Sequence, residues 1–287
     1  MDLLIIIDQE GCANVTPNQS SSIRNQHMQK QLSCFLNTLP KSWKIDVLDC
    51  HDNGLNVFCL KNQFPAVTFI AQIWNFNIKK HYDFAVLIGF HAAQGNTSPF
   101  AHTFRSEIKE TLLLEKPVGE VTLIVNWLRS FNIPILWING EEALKSEVAQ
   151  LKIPFINNYS ELTIKPPFSK EGQKYIDSYP IKIRLIHDKL LDAFPAQLFT
   201  IKDNYIIFSN INNYLTRLSE VSIFLNAARN YFHMYLKKLS HRIKWNYTKE
   251  ELASLDDDRL NDLLSRENLL SITTDDISYL EKKLMIK

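Results

Sequence analysis

Glycine is scarce in this sequence, which has only 7 glycines in 287 residues. Most of them lie in short polar segments rather than being scattered along the chain. These are Gly11, Gly54, Gly89, Gly95, Gly119 and Gly140. Because glycine permits tight turns and close backbone approach, this placement predicts loops whose backbone is shaped around a bound group.

The chain also lacks a charge excess, long apolar runs and closely paired cysteines. Its formal net charge is +1, so no nucleic-acid partner is indicated. No stretch approaches the length of a membrane span, and Leu3–Ile7 is too short for the core of a signal peptide. The 4 cysteines show no CxxC spacing. We therefore expect a reduced, cytoplasmic protein with no membrane partner.

Short apolar runs predict the buried strands of a parallel sheet. The runs are Leu3–Ile7, Trp43–Leu48, Tyr82–Ile88 and Ile133–Ile138. Nearly unbroken apolar runs of this length are typical of strands that are covered on both faces. Segments with helical spacing lie between them, so the sequence predicts an α/β fold with a largely parallel sheet and flanking helices.

Several helices are predicted between and after these strands. One is capped by Ser21 or Ser22, a second spans Thr103 to Leu114 in whole or part, and a third places Pro117 at a first helical position. A short helix is expected over Glu141–Leu151.

The pattern changes after about residue 154, so we predict an α/β domain over 1–154 and a smaller α+β domain over 155–287. In the second domain we expect strands near 162–164, 198–201 and 205–208. Helices are expected over Ile183–Phe194 and Ser219–Leu239, and in the tail from Thr248.

Polar residues that can bind metals follow the ends of the predicted strands. They are Asp8, Glu10, His51 and His91, and they are joined by Glu120 in the first turn of a predicted helix. In parallel sheets the carboxyl ends of the strands share one edge, where ligands bind. Carboxylate and imidazole ligands suit zinc, and also manganese or iron. Three ligands serve one ion, whereas five with a shared carboxylate suit two ions about 4 Å apart.

Each of these residues also has a simpler interpretation. A single histidine at a strand end is commonly a hydrogen-bonded structural residue. Asp8 and Glu10 could be solvated loop residues, and Glu120 could be a favourable charge at a helix start. Their shared position at strand ends is what indicates a metal site. His102 adds a titratable group in the same loop system.

The order of these motifs resembles that of the DppA-type D-aminopeptidase family of zinc metallopeptidases. The matching segments are Asp8-x-Glu10-Gly11, Asp49-x-His51, Gly89-Phe90-His91-Ala92, His102-Thr103 and Val118-Gly119-Glu120. The resemblance covers about residues 3–150. It implies an N-terminal α/β domain, a smaller C-terminal domain and a homo-oligomer, in that family a ring-stacked decamer.

The resemblance also implies a role for each residue. Asp8 would bridge two zinc ions, with Glu10 and His51 completing one site and His91 and Glu120 the other. His102 would match the family's catalytic histidine. The implied activity is that of a di-zinc hydrolase acting on a short peptide or aminoacyl amide, at the amide bond next to a free amino group.

The sequence departs from the family pattern at several segments. They are Ile7, Cys12–Val15, Asn139–Glu142 and the tail from about Trp245. These departures leave an alternative open, in which the enzyme is an amide or ester hydrolase that tailors a specialised peptide or small molecule. A non-catalytic metal-binding scaffold is a further alternative, although the presence of His102 argues against it.

Overall fold

Two β-sheets form the fold, as seen in a computed structural model that describes residues 1–52, 54–70, 80–105, 107–157, 162, 164, 179–185, 190–191 and 194–226. Within these residues the strands are β1 (Asp2–Ile7), β2 (Lys44–Asp49), β3 (Val67–Ile70), β4 (Phe84–Phe90), β5 (Ile108–Leu113), β6 (Lys116–Pro117), β7 (Ile135–Gly140), β8 (Phe155–Ile156), β9 (Ile181–Leu185), β10 (Thr200–Lys202) and β11 (Tyr205–Phe208). The helices are α1 (Ser21–Leu36), α2 (Glu120–Ser130), α3 (Lys145–Leu151) and α4 (Ile211–Thr216), with 3-10 turns at Phe58–Asn62 and Glu142–Leu144.

The first sheet is parallel and has the strand order β3-β2-β1-β4-β7-β8. Successive side chains of β1 point to opposite faces: Leu4 and Ile6 join one apolar core, and Leu3, Ile5 and Ile7 join another. Helix α1 contributes to the second core and α2 to the first, so the sheet is covered on both faces. The predicted α/β class with a largely parallel sheet is confirmed.

The second sheet is antiparallel and has the order β10-β11-β9-β5-β6. The predicted helix over Thr103–Leu114 is therefore wrong, because Ile108–Leu113 is a strand that pairs with Ile181–Leu185. The prediction of a helix from Ile183 fails for the same reason. Pairing between such distant segments overrides the local pattern.

Helix starts differ slightly from the predictions. Ser20, rather than Ser21 or Ser22, caps α1, and its side chain accepts a hydrogen bond from the Ile23 backbone N–H. Pro117 lies in an edge strand, and α2 begins at Glu120 after the N-cap residue Gly119. The prediction that Pro117 occupies a first helical position is wrong.

The C-terminal region packs into the core of the first sheet. Residues of β9, β11 and α4 belong to the same apolar core as residues of β1, β4 and α2. The second sheet contains strands from both sides of residue 154, since β5 and β6 precede it and β9, β10 and β11 follow it. The division of the chain into two domains at residue 154 therefore stays a prediction. Residues 218–226 are helical, which agrees with the start of the predicted helix at Ser219. The rest of that helix and the helical tail fall outside the described residues. Of the strand predicted near 162–164, Leu162 and Ile164 are described and are not in a strand, and Thr163 falls outside the described residues.

Arg105 ties the loop after His102 to the helical segment 218–226. Its guanidinium contacts both oxygens of Glu107, at 3.1 and 3.0 Å, and donates to Ser222 Oγ at 2.6 Å and to Asn226 Oδ1 at 2.9 Å. The Glu107 side chain is only 1% exposed. A carboxylate buried to this degree depends on its charged partner.

We predict that Arg105→Met lowers the free energy of unfolding by about 3 kcal/mol, because the buried Glu107 carboxylate loses its contacts with the Arg105 guanidinium. Adding Glu107→Gln should recover part of that loss. The control Lys182→Met breaks the more exposed contact with Glu115 and should cost less than about 1 kcal/mol. Urea unfolding measures all three variants, and equal losses for Arg105→Met and Lys182→Met would contradict the prediction.

Candidate metal centre

The ends of three neighbouring strands meet in unusually close backbone contact around Phe90. A Cβ atom on Gly11 would lie 1.8 Å from the Phe90 carbonyl oxygen, and one on Gly140 would lie 2.1 Å from it. Gly89 has a φ of +73°, and its own Cβ would meet the Asp8 carbonyl oxygen at 2.4 Å. Glycine at these positions therefore lets β1, β4 and β7 converge where their polar residues begin.

This convergence brings all six predicted site residues together. We refer to Asp8, Glu10, His51, His91, His102 and Glu120 as the carboxylate–histidine cluster. His51 Nδ1 lies 2.8 Å from Glu10 Oε2 and 3.5 Å from Asp8 Oδ1. His91 Nε2 lies 3.6 Å from Asp8 Oδ2 and 3.4 Å from Glu120 Oε1. Asp8 thus stands between the two histidines, with one oxygen near each.

Backbone carbonyls fix the tautomers of two histidines. His91 Nδ1 lies 2.9 Å from the Ala92 carbonyl oxygen, and His102 Nδ1 lies 2.8 Å from that of Phe100. Because a carbonyl only accepts, each Nδ1 carries the donated proton and each Nε2 is left as the free nitrogen. The rings stack with centroids 4.3 Å apart, and His102 Nε2 lies 3.8 Å from Glu120 Oε1. A histidine that binds a metal is commonly oriented by such a hydrogen bond from its other ring nitrogen.

The cluster carries an excess of buried negative charge. Asp8 and Glu120 are 2% and 4% exposed, and Glu10 is half-buried beside them. Among the described residues, no lysine or arginine pairs with these three carboxylates. Burial alone would lower the pKa of His51, but hydrogen bonds to Asp8 and Glu10 raise that pKa to about 10. The carboxylates therefore favour any positive charge placed among them.

The donor set fits one or more metal ions. Two groups of three residues have ligand atoms within 4.8 Å of one another: Asp8 with Glu10 and His91, and His91 with His102 and Glu120. Zinc ligands lie about 2.0–2.2 Å from the ion, so the donors of a tetrahedral site are about 3.4 Å apart. The separations of His91 Nε2 from Asp8 and Glu120 match this value. Asp8 Oδ2 is buried and has no hydrogen-bond partner among the described residues, as expected of an oxygen that faces a cation.

Two supporting contacts were not predicted from the sequence. The Phe104 backbone N–H donates to Glu120 Oε1 at 2.5 Å, from a residue with a φ of +58°. Glu147, on α3, accepts hydrogen bonds at 3.2 Å from the Gly119 and Thr122 backbone N–H groups, and so fixes the start of α2. Neither contact has a local sequence signal, because the partners are 16 to 28 residues apart.

A family comparison agrees with this geometry. The sequence model of peptidase family M55, described as D-aminopeptidase, matches residues 1–170, which is more than half of the chain. The chain belongs to the D-aminopeptidase family. All six residues of the carboxylate–histidine cluster lie within the matched span.

One solved protein structure has a fold similar to that of this chain. It is the Zn-dependent D-aminopeptidase DppA from Bacillus subtilis, described as a self-compartmentalizing protease. The TM-score is 0.62 at 14% sequence identity, and the alignment covers 78% of this chain and 98% of that one. At this identity the likeness establishes the fold alone. No curated protein sequence matches the chain significantly.

We predict that Gly140→Ala lowers the free energy of unfolding by about 3 kcal/mol, because the added methyl group would overlap the rigid backbone at Phe90. The control Gly95→Ala adds the same group where nothing lies within 4 Å, at a φ of +91°. It should cost about 1 kcal/mol of backbone strain. Urea denaturation compares the two variants. A Gly140→Ala protein as stable as the control would show that the strand ends are not in close contact.

Proposed function

We propose that this protein is a di-zinc hydrolase that cleaves the amide bond next to a free amino group, as expected of a D-aminopeptidase. The observation that carries the proposal is the position of Asp8. Its two oxygens face His51 and His91 separately, and one of them has no hydrogen-bond partner in the described part of the chain. A carboxylate in this position is suited to bridging two cations.

The contacts around Asp8 and the family resemblance support the proposed ligand sets. Glu10 and His51 complete a set on one side, and His91 and Glu120 complete a set on the other. Zinc is favoured because the ligands are nitrogen and oxygen atoms and because the fold is shared with a zinc-dependent enzyme. When bound, two such ions polarise a carbonyl group and lower the pKa of a water molecule.

His102 is proposed to transfer protons at the amide nitrogen of the leaving group. Its Nδ1–H is committed to the Phe100 carbonyl, so Nε2 is the atom available for exchange. The side chain is 24% exposed, whereas His91 is 1% exposed, so His102 is the more accessible of the stacked pair. Histidine is the side chain that most often serves as a general acid or base in enzymes.

The other residues of the chain hold these groups in place. Glu120 Oε1 accepts a hydrogen bond from the Phe104 backbone N–H, which fixes this oxygen within 3.8 Å of Nε2 of both His91 and His102. The Ala92 carbonyl keeps the His91 proton on Nδ1, so that Nε2 faces the carboxylates. Positioning of this kind lowers the cost of ordering the reacting groups.

Assembly and location are proposed from the family resemblance. The related DppA structure is described as self-compartmentalizing, and we propose a homo-oligomer here, with a decamer as the specific form expected. Among the described helices, none combines the length and apolar character needed to cross a membrane. The four cysteines are all free, and we propose a cytoplasmic location.

The metal stoichiometry tests the ligand assignment. We expect about two zinc ions per chain in purified protein, measured by elemental analysis. The double variant His91→Ala/Glu120→Ala should bind about one ion per chain. It keeps only Asp8 of the three ligands proposed for the second ion. The control pair His81→Ala and Glu142→Ala lies outside the cluster and should retain both ions. A wild-type protein that cannot be loaded with metal would contradict the assignment of these residues as metal ligands.

The His102→Ala variant separates binding from chemistry. We expect zinc content and stability to stay near wild type, and hydrolysis of D-aminoacyl p-nitroanilides to fall by about 10²–10⁴-fold. Loss of one zinc ion per chain would instead show that His102 is a ligand. The ligand atoms of His102, His91 and Glu120 are close enough for that role. Full metal content with a wild-type rate would remove it from the mechanism. Parallel assays with L-aminoacyl substrates, with and without zinc, establish the stereochemistry.

A further inference from the structure

A small cleft opens beside the carboxylate–histidine cluster, on the side of Glu10. It lies between the loop that follows β1, the loop that carries His102 and the end of β7. Its volume is about 320 Å³. Ligand pockets span about 300–1,000 Å³, so this cleft is suited to a group of a few atoms rather than a long peptide.

One wall of the cleft is apolar and is built by two loops. Val15 and Pro17 contribute from the loop after β1, and Pro99 and Phe100 from the loop that leads to His102. The Phe100 carbonyl is the group that orients His102. An apolar group lying on this wall would therefore be close to both the proposed metal ligands and the proposed proton donor.

Most polar groups that line the cleft already have partners. Asn139 accepts from Gln31 and from the Gly89 backbone, and donates to the Ile156 carbonyl. Glu10 is engaged by His51. These two side chains are therefore committed within the protein.

Glu141 is the exception. One of its oxygens accepts from the Ala92 backbone N–H at 2.7 Å, and the other accepts from Ser98 Oγ at 2.6 Å. A carboxylate can accept about four hydrogen bonds, so each oxygen retains accepting capacity. The side chain is half-buried, and no lysine or arginine pairs with it in the described part of the chain. It is thus a fixed negative charge that lines the cleft without a cationic partner.

We propose that this cleft binds the amino-terminal residue of the substrate, with its ammonium group on Glu141 and its apolar side chain against Val15, Pro17, Pro99 and Phe100. The ligand class is a primary ammonium next to a short apolar group. That the ligand is a substrate rests on the proposed function, whereas the binding of the ammonium group does not. Glu141 accepts a hydrogen bond from the backbone N–H of Ala92, the residue that follows His91. It therefore holds the ammonium group of the substrate at a fixed position relative to the carboxylate–histidine cluster.

Calorimetry on the zinc-loaded full chain tests this assignment with two ligands of nearly equal shape. The chain carries His102→Ala, so that turnover of an amide ligand is suppressed. D- or L-leucinamide carries the ammonium group, and 4-methylpentanamide lacks it. At about pH 6.5 an α-amino group is protonated. We expect the unaltered cleft to bind leucinamide about 10- to 100-fold more tightly than the neutral analogue, as a hydrogen bond to a charged group contributes. Equal affinities would overturn the proposal.

Glu141→Gln removes the charge and keeps both internal hydrogen bonds, since the amide oxygen can accept from Ala92 and the amide nitrogen can donate to Ser98. It should abolish the preference for leucinamide while zinc content stays unchanged. The control Glu142→Gln removes the neighbouring charge, which is exposed and contacts Lys145 and Asn157, and should keep the preference. A preference that survives in Glu141→Gln would place the ammonium group elsewhere.

A second variant and a rate measurement complete the test. Thr16→Lys introduces an ammonium group at the exposed edge of the cleft and should weaken leucinamide binding but not that of the neutral analogue. The Thr16→Lys variant tests the proposal even if Glu141→Gln fails to fold. An unchanged preference for leucinamide in Thr16→Lys would show that the ammonium group does not bind in this cleft. Hydrolysis of leucyl p-nitroanilide is followed in the same cleft variants with His102 intact. Selective binding without hydrolysis would refute the proposed function alone, whereas hydrolysis without selective binding would refute this inference alone.

Discussion

Burial of negative charge at one edge of the parallel sheet is the constraint on which the site depends. Asp8 and Glu120 are almost fully buried, and Glu10 is half-buried beside them. Charges in such positions are costly unless positive charge is placed nearby. The described residues supply only histidines for this purpose. Burial by itself would lower the pKa of His91, yet Glu120 and Asp8 raise it well above its ordinary value. Bound cations would satisfy the same requirement.

The backbone makes this concentration of charge possible. Gly11, Gly89 and Gly140 allow three strand ends to approach more closely than side chains would permit. Two of these strands, β1 and β4, lead directly into Asp8 and His91. Contacts from outside the sheet complete the arrangement. Glu147 fixes the start of α2, and Arg105 connects the loop after His102 to the helical segment 218–226. Segment 218–226 lies beyond the span matched by the family model, so the C-terminal region helps to anchor the loop that follows His102.

The predictable parts of the molecule were those with strong local signals. Strands β1, β4 and β7 are covered on both faces and have nearly continuous apolar sequences, whereas β2 was predicted from a run that also contains Lys44 and Asp46. Polar residues after these strands marked the site. The antiparallel strands β5 and β9 were predicted as helices because their mutual pairing joins segments about seventy residues apart and leaves no local pattern. The roles of Glu147, Phe104 and Arg105 were not predicted for the same reason, because their contacts join residues that are distant in sequence. The tautomers of His91 and His102 depend on loop carbonyls that only the three-dimensional structure positions.

Asp8 is proposed to be shared by two metal ions. Crystals grown with zinc and an anomalous difference map collected at the zinc absorption edge test it most directly. Two peaks per chain are predicted, one among Asp8, Glu10 and His51 and the other among Asp8, His91 and Glu120. A single peak, or peaks that do not lie on either side of Asp8, would contradict the account.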